Sequence, residues 1–174
     1  MEEQKLSPGK FAMNYGVILG VVFILINVIM YVTGMALEGK QWPQYLYYLI
    51  FPATIIYAIS QFKSKNANFL SLGEGIKIGV IIGVISAIVF IIYSLIFNYF
   101  IDPGFMDQVM EVTRDKLLEN PNLTEEIVDQ QMKMVKMFMN PFIGSAFWIA
   151  MSAIFGLIYG LIAGAIMKKE NTHA

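Results

Sequence analysis

Four stretches of this chain, 11–32, 43–62, 72–100 and 142–167, are apolar for longer than a core helix of a small water-soluble domain requires. A helix needs about 20 mostly apolar residues to cross the bilayer hydrocarbon. Continuous runs of that length predict helices, whose backbone N–H and C=O groups are satisfied inside the segment. The fold class that follows is all-α: an integral membrane four-helix bundle, one membrane domain over 1–174. Composition agrees, with 57% hydrophobic and 14% charged residues, where soluble domains carry about a quarter charged.

The same composition excludes several functions. A net charge of −1 gives no electrostatic footprint for nucleic acid. The absence of cysteine removes disulfides, thiolate metal sites and cysteine nucleophiles. The one histidine, His173, is next to last. The opening MEEQKLSPGK has mixed charge, and the apolar run after it is too long for a signal-peptide core, so 11–32 is read as an uncleaved first span.

Helix ends carry their own signals. Ser71 with Glu74 three positions on is a capping box for the third span. Asn140-Pro141 supplies an N-cap and a proline at the first helical position, where a missing N–H costs nothing. Lys168 and Lys169 close the fourth span and suit its negative dipole end. Pro52 inside the second span leaves the Tyr48 carbonyl without its helical donor and predicts a kink.

The segment 101–140 is predicted to form a helical hairpin between spans three and four. Asp102-Pro103 resembles an N-cap and first helical residue, followed by Phe105, Val109, Thr113 and Leu117 at helical spacing. Asn120-Pro121 interrupts, and Thr124 caps a second helix with Glu125 and Glu126 in its first turn. Leu123 and Val128 stand as a hydrophobic staple. An apolar side of this hairpin should lie on the spans or the lipid surface.

Lysine placement sets the expected orientation. With the N-terminus inside, Lys5, Lys10, Lys63, Lys65, Lys77, Lys168 and Lys169 are cytoplasmic, against Lys40, Arg114, Lys116, Lys133 and Lys136 outside. Both termini are then cytoplasmic, the hairpin is extracytoplasmic, and Trp42, Tyr45, Tyr99 and Phe100 form an outer aromatic belt. A bacterial cytoplasmic (inner) membrane is the expected location.

Helices in lipid gain nothing from burying leucine against leucine; they associate through close contact and hydrogen bonds, and small residues permit both. At about 100° per residue, Ser145, Ser152, Gly156, Gly160 and Ala163 share a face of the fourth span, with Gly164 completing a glycine at every fourth position. Gly75, Gly79, Gly83 and Ser86 do the same in the third span, and Gly16, Gly20 and Asn27 in the first. These are the helix-packing candidates. Asn27 is the most polar group deep in a span, and its amide needs partners; Ser145, Trp148 or Ser152 of the fourth span are the expected ones. An echo of GVILGVVFILI from Gly16 in GVIIGVISAIV from Gly79 fits either a parallel repeat of hairpins or apolar low complexity.

Chemistry is sparsely signalled. No intramembrane carboxylate, histidine or lysine stands ready as a general base or coupling group. Glu74 and Lys77 sit at a span end, as cap and anchor. Six of the methionines, Met106, Met110, Met132, Met134, Met137 and Met139, fall in the hairpin; thioethers suit Cu(I), but on an amphipathic helix they pack. Asn122-Leu123-Thr124 matches a glycosylation sequon and doubles as turn and cap. No catalytic, cofactor or metal residue is assigned.

SLGEGIKIGVIIG, FNYFIDPGF and the glycine-rich final span ending in Lys-Lys together resemble an uncharacterised bacterial family of four-span inner-membrane proteins, a domain of unknown function, over about Lys10 to Glu170. The resemblance implies four membrane helices with an extracytoplasmic insertion, and it brings no activity, cofactor or catalytic residue. The expected function is a structural or accessory membrane component, not an enzyme. Its partners are the lipid bilayer and a second copy or a membrane-complex subunit. The alternative is a small transporter or channel for a neutral or apolar substrate, with Asn27, Ser86, Tyr93 and Ser152 lining the path.

Overall fold

The computed structural model describes residues 6–38, 40 and 42–169. Glu2, Glu3, Lys5, Glu170 and His173 lie outside the described residues. The helices are α1 (Pro8–Val32), α2 (Trp42–Lys65), α3 (Leu72–Ile96), α4 (Phe105–Leu118), α5 (Glu125–Met139) and α6 (Pro141–Met167). Four of them, α1, α2, α3 and α6, are long and apolar enough to cross a membrane.

Side-chain caps start these helices. The Ser71 hydroxyl accepts from the Glu74 N–H at 3.2 Å, and the Glu74 carboxylate accepts from the Ser71 N–H at 2.8 Å. Asn140 Oδ1 accepts from the N–H groups of Phe142 and Ile143, and Thr124 accepts from Ile127. The first helix begins earlier than the apolar run, because Ser7 caps it and Pro8 takes the first position. Helix α2 continues through Pro52.

One predicted cap is corrected. Asp102 and Pro103 do not start α4; the helix begins at Phe105 with Gly104 before it. The chain leaves α3 through a π-turn, Phe97–Ile101, closed by the Asp102 N–H donating to the Phe97 carbonyl at 2.9 Å. The Asp102 carboxylate is then taken by the Tyr31 hydroxyl at 2.9 Å and is no longer free to cap.

The four long helices form a ring in the order α1, α3, α6, α2, with α3 and α6 the most extensive pair. Helix α3 runs parallel to α1 and antiparallel to α6. The interior is filled by Leu19, Ile55, Ile59, Phe62, Ile78 and Ile82, each almost fully buried, and by Phe23 against Tyr47 and Phe51. Large apolar side chains also cover the outside, among them Ile18, Leu25, Ile56, Ile92, Leu161 and Ile166. Outward Leu and Ile along four long helices is the polarity that lipid tails solvate and water does not.

The ends of the bundle differ. At one end the α2–α3 loop turns through Ala67 and Asn68, both in the left-handed region. Leu70, fully buried, exchanges both backbone hydrogen bonds with Lys169, at 3.0 and 2.9 Å, which ties the loop to the end of α6. At the other end α4 and α5 form a hairpin cap. Trp42, Tyr45, Tyr99 and Phe100 are exposed there. Lys40 contacts Glu38 at 2.7 Å; its hydrogen bond and charge hold the Glu38 carboxyl below the usual carboxylate range. Lys116 of α4 also reaches the Glu38 carbonyl.

Candidate functional site

The predicted small-residue positions fall into two contacts. In the first, Gly75, Gly79 and Gly83 of α3 face Gly164, Gly160, Gly156 and Ser152 of α6. A Cβ on Gly79 would lie 2.2 Å from the Gly156 carbonyl oxygen, and one on Gly83 would lie 2.3 Å from that of Ser152. A Cβ on Gly75 would lie 2.7 Å from the Gly164 Cα. Backbone meets backbone at each level, and a Cβ on Gly75, Gly79, Gly83, Gly156 or Gly160 would collide with backbone atoms of the facing helix. In the second contact, Gly16 and Gly20 of α1 form a groove that receives the side chains of Ile85 and Val89 from α3. The sequence echo between Gly16 and Gly79 therefore does not mark equivalent contacts: Gly16 faces α3, not its hairpin partner α2.

Asn27 finds its partner on α3 and not on α6. The Tyr93 hydroxyl donates to Asn27 Oδ1 at 3.0 Å. The expectation of Ser145, Trp148 or Ser152 assumed that the small-residue face of α1 turned toward α6; parallel packing of α1 on α3 brings Tyr93 level with Asn27 instead. Ser86 is buried and donates to the carbonyl of Gly83 in its own helix at 3.0 Å. A double-mutant cycle on Asn27→Leu and Tyr93→Phe should return a coupling of about 0.6–2 kcal/mol by thermal denaturation in detergent. Additive effects would show that the pair contributes nothing.

Above Gly83 and Ser152 the α3–α6 pair opens. Here Phe90 of α3 and Trp148 of α6 meet, with ring centroids 6.3 Å apart. Gly144 and Ser145 are too small to refill the gap. The hairpin roofs it: the last turn of α5 sits on α6 because a Cβ on Gly144 would lie 2.2 Å from the Phe138 carbonyl oxygen. The result is a cleft of about 440 Å³ between α3, the start of α4, the end of α5 and the start of α6. Its walls include Phe90, Leu95, Met106, Phe138 and Trp148, with Ser94, Asn98, Tyr99, Asn140 and Ser145 among the members that carry polar groups. None of Asn27, Ser86, Tyr93 and Ser152 lines it.

The polar wall groups are unevenly satisfied. Asn140 is engaged as a cap. Asn98 Nδ2 donates to the Ser94 carbonyl at 2.8 Å and the Ser94 hydroxyl at 3.2 Å. Asn98 Oδ1 is buried and, among the described residues, has no hydrogen-bond partner. Asn98 lies within the π-turn, an irregularity that recurs at functional sites. Sequence reading missed this residue, since an Asn at a span end reads as an interface residue; FNYF followed by Asp-Pro was the available signal. Among the described residues no group of three His, Cys, Asp or Glu side chains converges.

With this geometry established, the chain can be compared with known proteins. Residues 14–169 match the family described as Protein of unknown function (DUF4199). The chain belongs to that family. The DUF4199 match takes in both glycine contacts, the Asn27–Tyr93 pair, the π-turn and the cleft. No curated protein and no solved structure matches the chain.

Proposed function

We propose that this DUF4199 chain is an accessory component of a bacterial cytoplasmic membrane, neither an enzyme nor a conduit. Both termini face the cytoplasm and the α4–α5 hairpin faces outward. The observation that carries this reading is the α3–α6 seam, where Gly75, Gly79 and Gly83 rest on the α6 backbone. A path for solute needs space along the bundle axis, and a seam this close, beside a core filled by Leu19, Ile55, Phe62 and Ile82, leaves little. Lys63, Lys65, Lys168 and Lys169 at the loop-and-terminus end support the orientation.

The glycine faces that would ordinarily receive a foreign helix are filled by the chain's own α1, α3 and α6. A second copy or another membrane subunit therefore docks at the cap or on the apolar outer sides.

Proteoliposome swelling tests the reading. Glycerol and urea should enter at the rate of protein-free vesicles. Protein-dependent entry would instead establish the small transporter or channel for neutral solutes. A reporter fused after Ala174 should be active only on the cytoplasmic side, and periplasmic activity would reverse the orientation.

A further inference from the structure

One face of the cap helix α5 is apolar and left open by the fold. Ile127, Met134 and Phe138 lie within about 40° of one another around the helix, with Met137 beside them, and all four are exposed. A contiguous exposed apolar patch marks an interaction surface. We propose that this stripe lies in the bilayer, among the acyl chains just below the headgroups, so that α5 is a membrane-surface helix and not a water-exposed half of the cap.

Phe138 sets the depth. Its ring packs on Phe147 of α6, with centroids 4.8 Å apart. Phe147 is more than one turn into that span, about 9 Å from its start at 1.5 Å per residue. It belongs to an outward row, Ile143, Phe147, Ile154, Ile158 and Leu161, all exposed. The row stands roughly opposite Ser152 and Gly156 on the helix, and those two face α3. On a helix long and apolar enough to span a membrane, that row is the surface lipid tails cover. The last turn of α5 therefore reaches around to the lipid side of α6, and its stripe continues the row. Tails already lying along the row reach the stripe without any further subunit.

The polar groups of α5 take the other side. Glu125, Asp129 and Lys136 are exposed there, with Asp129 paired to Arg114 of α4 at 3.4 Å. A helix with one apolar and one charged face settles in the plane of the membrane interface. Glu125, Glu126 and Asp129 offset Lys133 and Lys136, so the contact rests on apolar area and requires no anionic headgroup. Which leaflet this is follows from the orientation proposed above; the contact itself does not depend on it.

The chain has no cysteine, so single cysteines can be spin-labelled in the otherwise native full chain. In phosphatidylcholine vesicles, collisions with oxygen, which concentrates among lipid tails, are compared with collisions with a water-soluble nickel chelate. Ile154→Cys on the α6 row is the lipid reference, and Glu125→Cys the water reference. Met134→Cys should resemble Ile154→Cys. Its oxygen-to-nickel ratio should be several-fold above that of Lys136→Cys, although both positions are exposed and lie within one turn. Met137→Cys should follow Met134→Cys, so one variant that fails to fold does not decide the result. Nickel-dominated collisions at 134 and 137 would overturn the proposal by placing the stripe in water. Protection from both reagents would overturn it by placing a second copy of the chain there. Neither the swelling assay nor the terminal reporter bears on this outcome, since α5 can lie on the bilayer whether or not solutes cross and whichever side it faces.

Discussion

Gly79→Val should prevent the membrane bundle from assembling. A Cβ at this position would lie 2.2 Å from the Gly156 carbonyl oxygen and 2.8 Å from the Gly160 Cα. Both are backbone atoms of α6, which no rotamer change can move aside. To accept the extra atoms α3 and α6 must separate by about 1 Å, and a gap of that size forfeits a quarter to a half of each contact it opens. The loss spreads along the whole seam, because Gly75 against Gly164 and Gly83 against Ser152 share the same two rigid helices. Gly79→Ala should cost about 3 kcal/mol or more, the upper end for overpacking. Gly79→Val should exceed the roughly 4–5 kcal/mol that marks exceptional substitutions. Gly73→Ala is the control: nothing lies within 4 Å of its Cβ direction, and removing a helical glycine should stabilise by up to about 1 kcal/mol. Denaturation midpoints by circular dichroism in one detergent, with elution volume as a check on folding, compare the three. A Gly79→Val protein with the wild-type midpoint would mean that α3 and α6 do not touch.

The reason glycine sits at these levels was legible in the sequence, and the partner of each stripe was not. Spacing every fourth residue says that one face of a helix is small. It does not say which neighbour the face meets. Gly16 and Gly79 have nearly the same local sequence, yet one receives an isoleucine side chain and the other receives a backbone. The difference comes from α1 lying parallel to α3, a tertiary choice that leaves no mark on either segment alone. The partner of Asn27 was misassigned for the same reason. Ser71, Thr124 and Asn140 stand where their sequences place them, because a cap is decided within four residues. Asp102 departs from its expected role because Tyr31, 71 positions away, competes for its carboxylate. The cleft was invisible for a further reason. It is made by what is absent between Phe90, Trp148 and Gly144, and a gap has no residue pattern of its own.

Phe97→Ala should release the hairpin cap while leaving the seam intact. Phe97 is buried in the π-turn, and its ring stands edge-on to Tyr31 at 4.8 Å and to Phe105 at 5.5 Å. Tyr31 is also edge-on to Phe105 at 5.2 Å. Three mutually perpendicular rings join the end of α1, the end of α3 and the start of α4, in the arrangement that aromatic quadrupoles favour. Truncating a buried phenylalanine typically costs about 3–5 kcal/mol. Here the loss falls on one junction. The far end of α4 is held by surface groups, the Lys116–Glu38 contact and the Arg114–Asp129 pair at 3.4 Å, and exposed pairs of that kind are worth about 0–1 kcal/mol. Helix α5 keeps its own hold on α6 through Phe138 on Phe147, 4.8 Å apart, and through Gly144. Hydrogen exchange should therefore accelerate first in 105–118, less in 125–139, and not at all in 75–83. Tyr31→Phe keeps every ring and removes only the bond to Asp102, so it should cost about 1 kcal/mol and leave α4 largely protected. If Phe97→Ala instead loosened 75–83 as much as 105–118, cap and bundle would open as one cooperative unit.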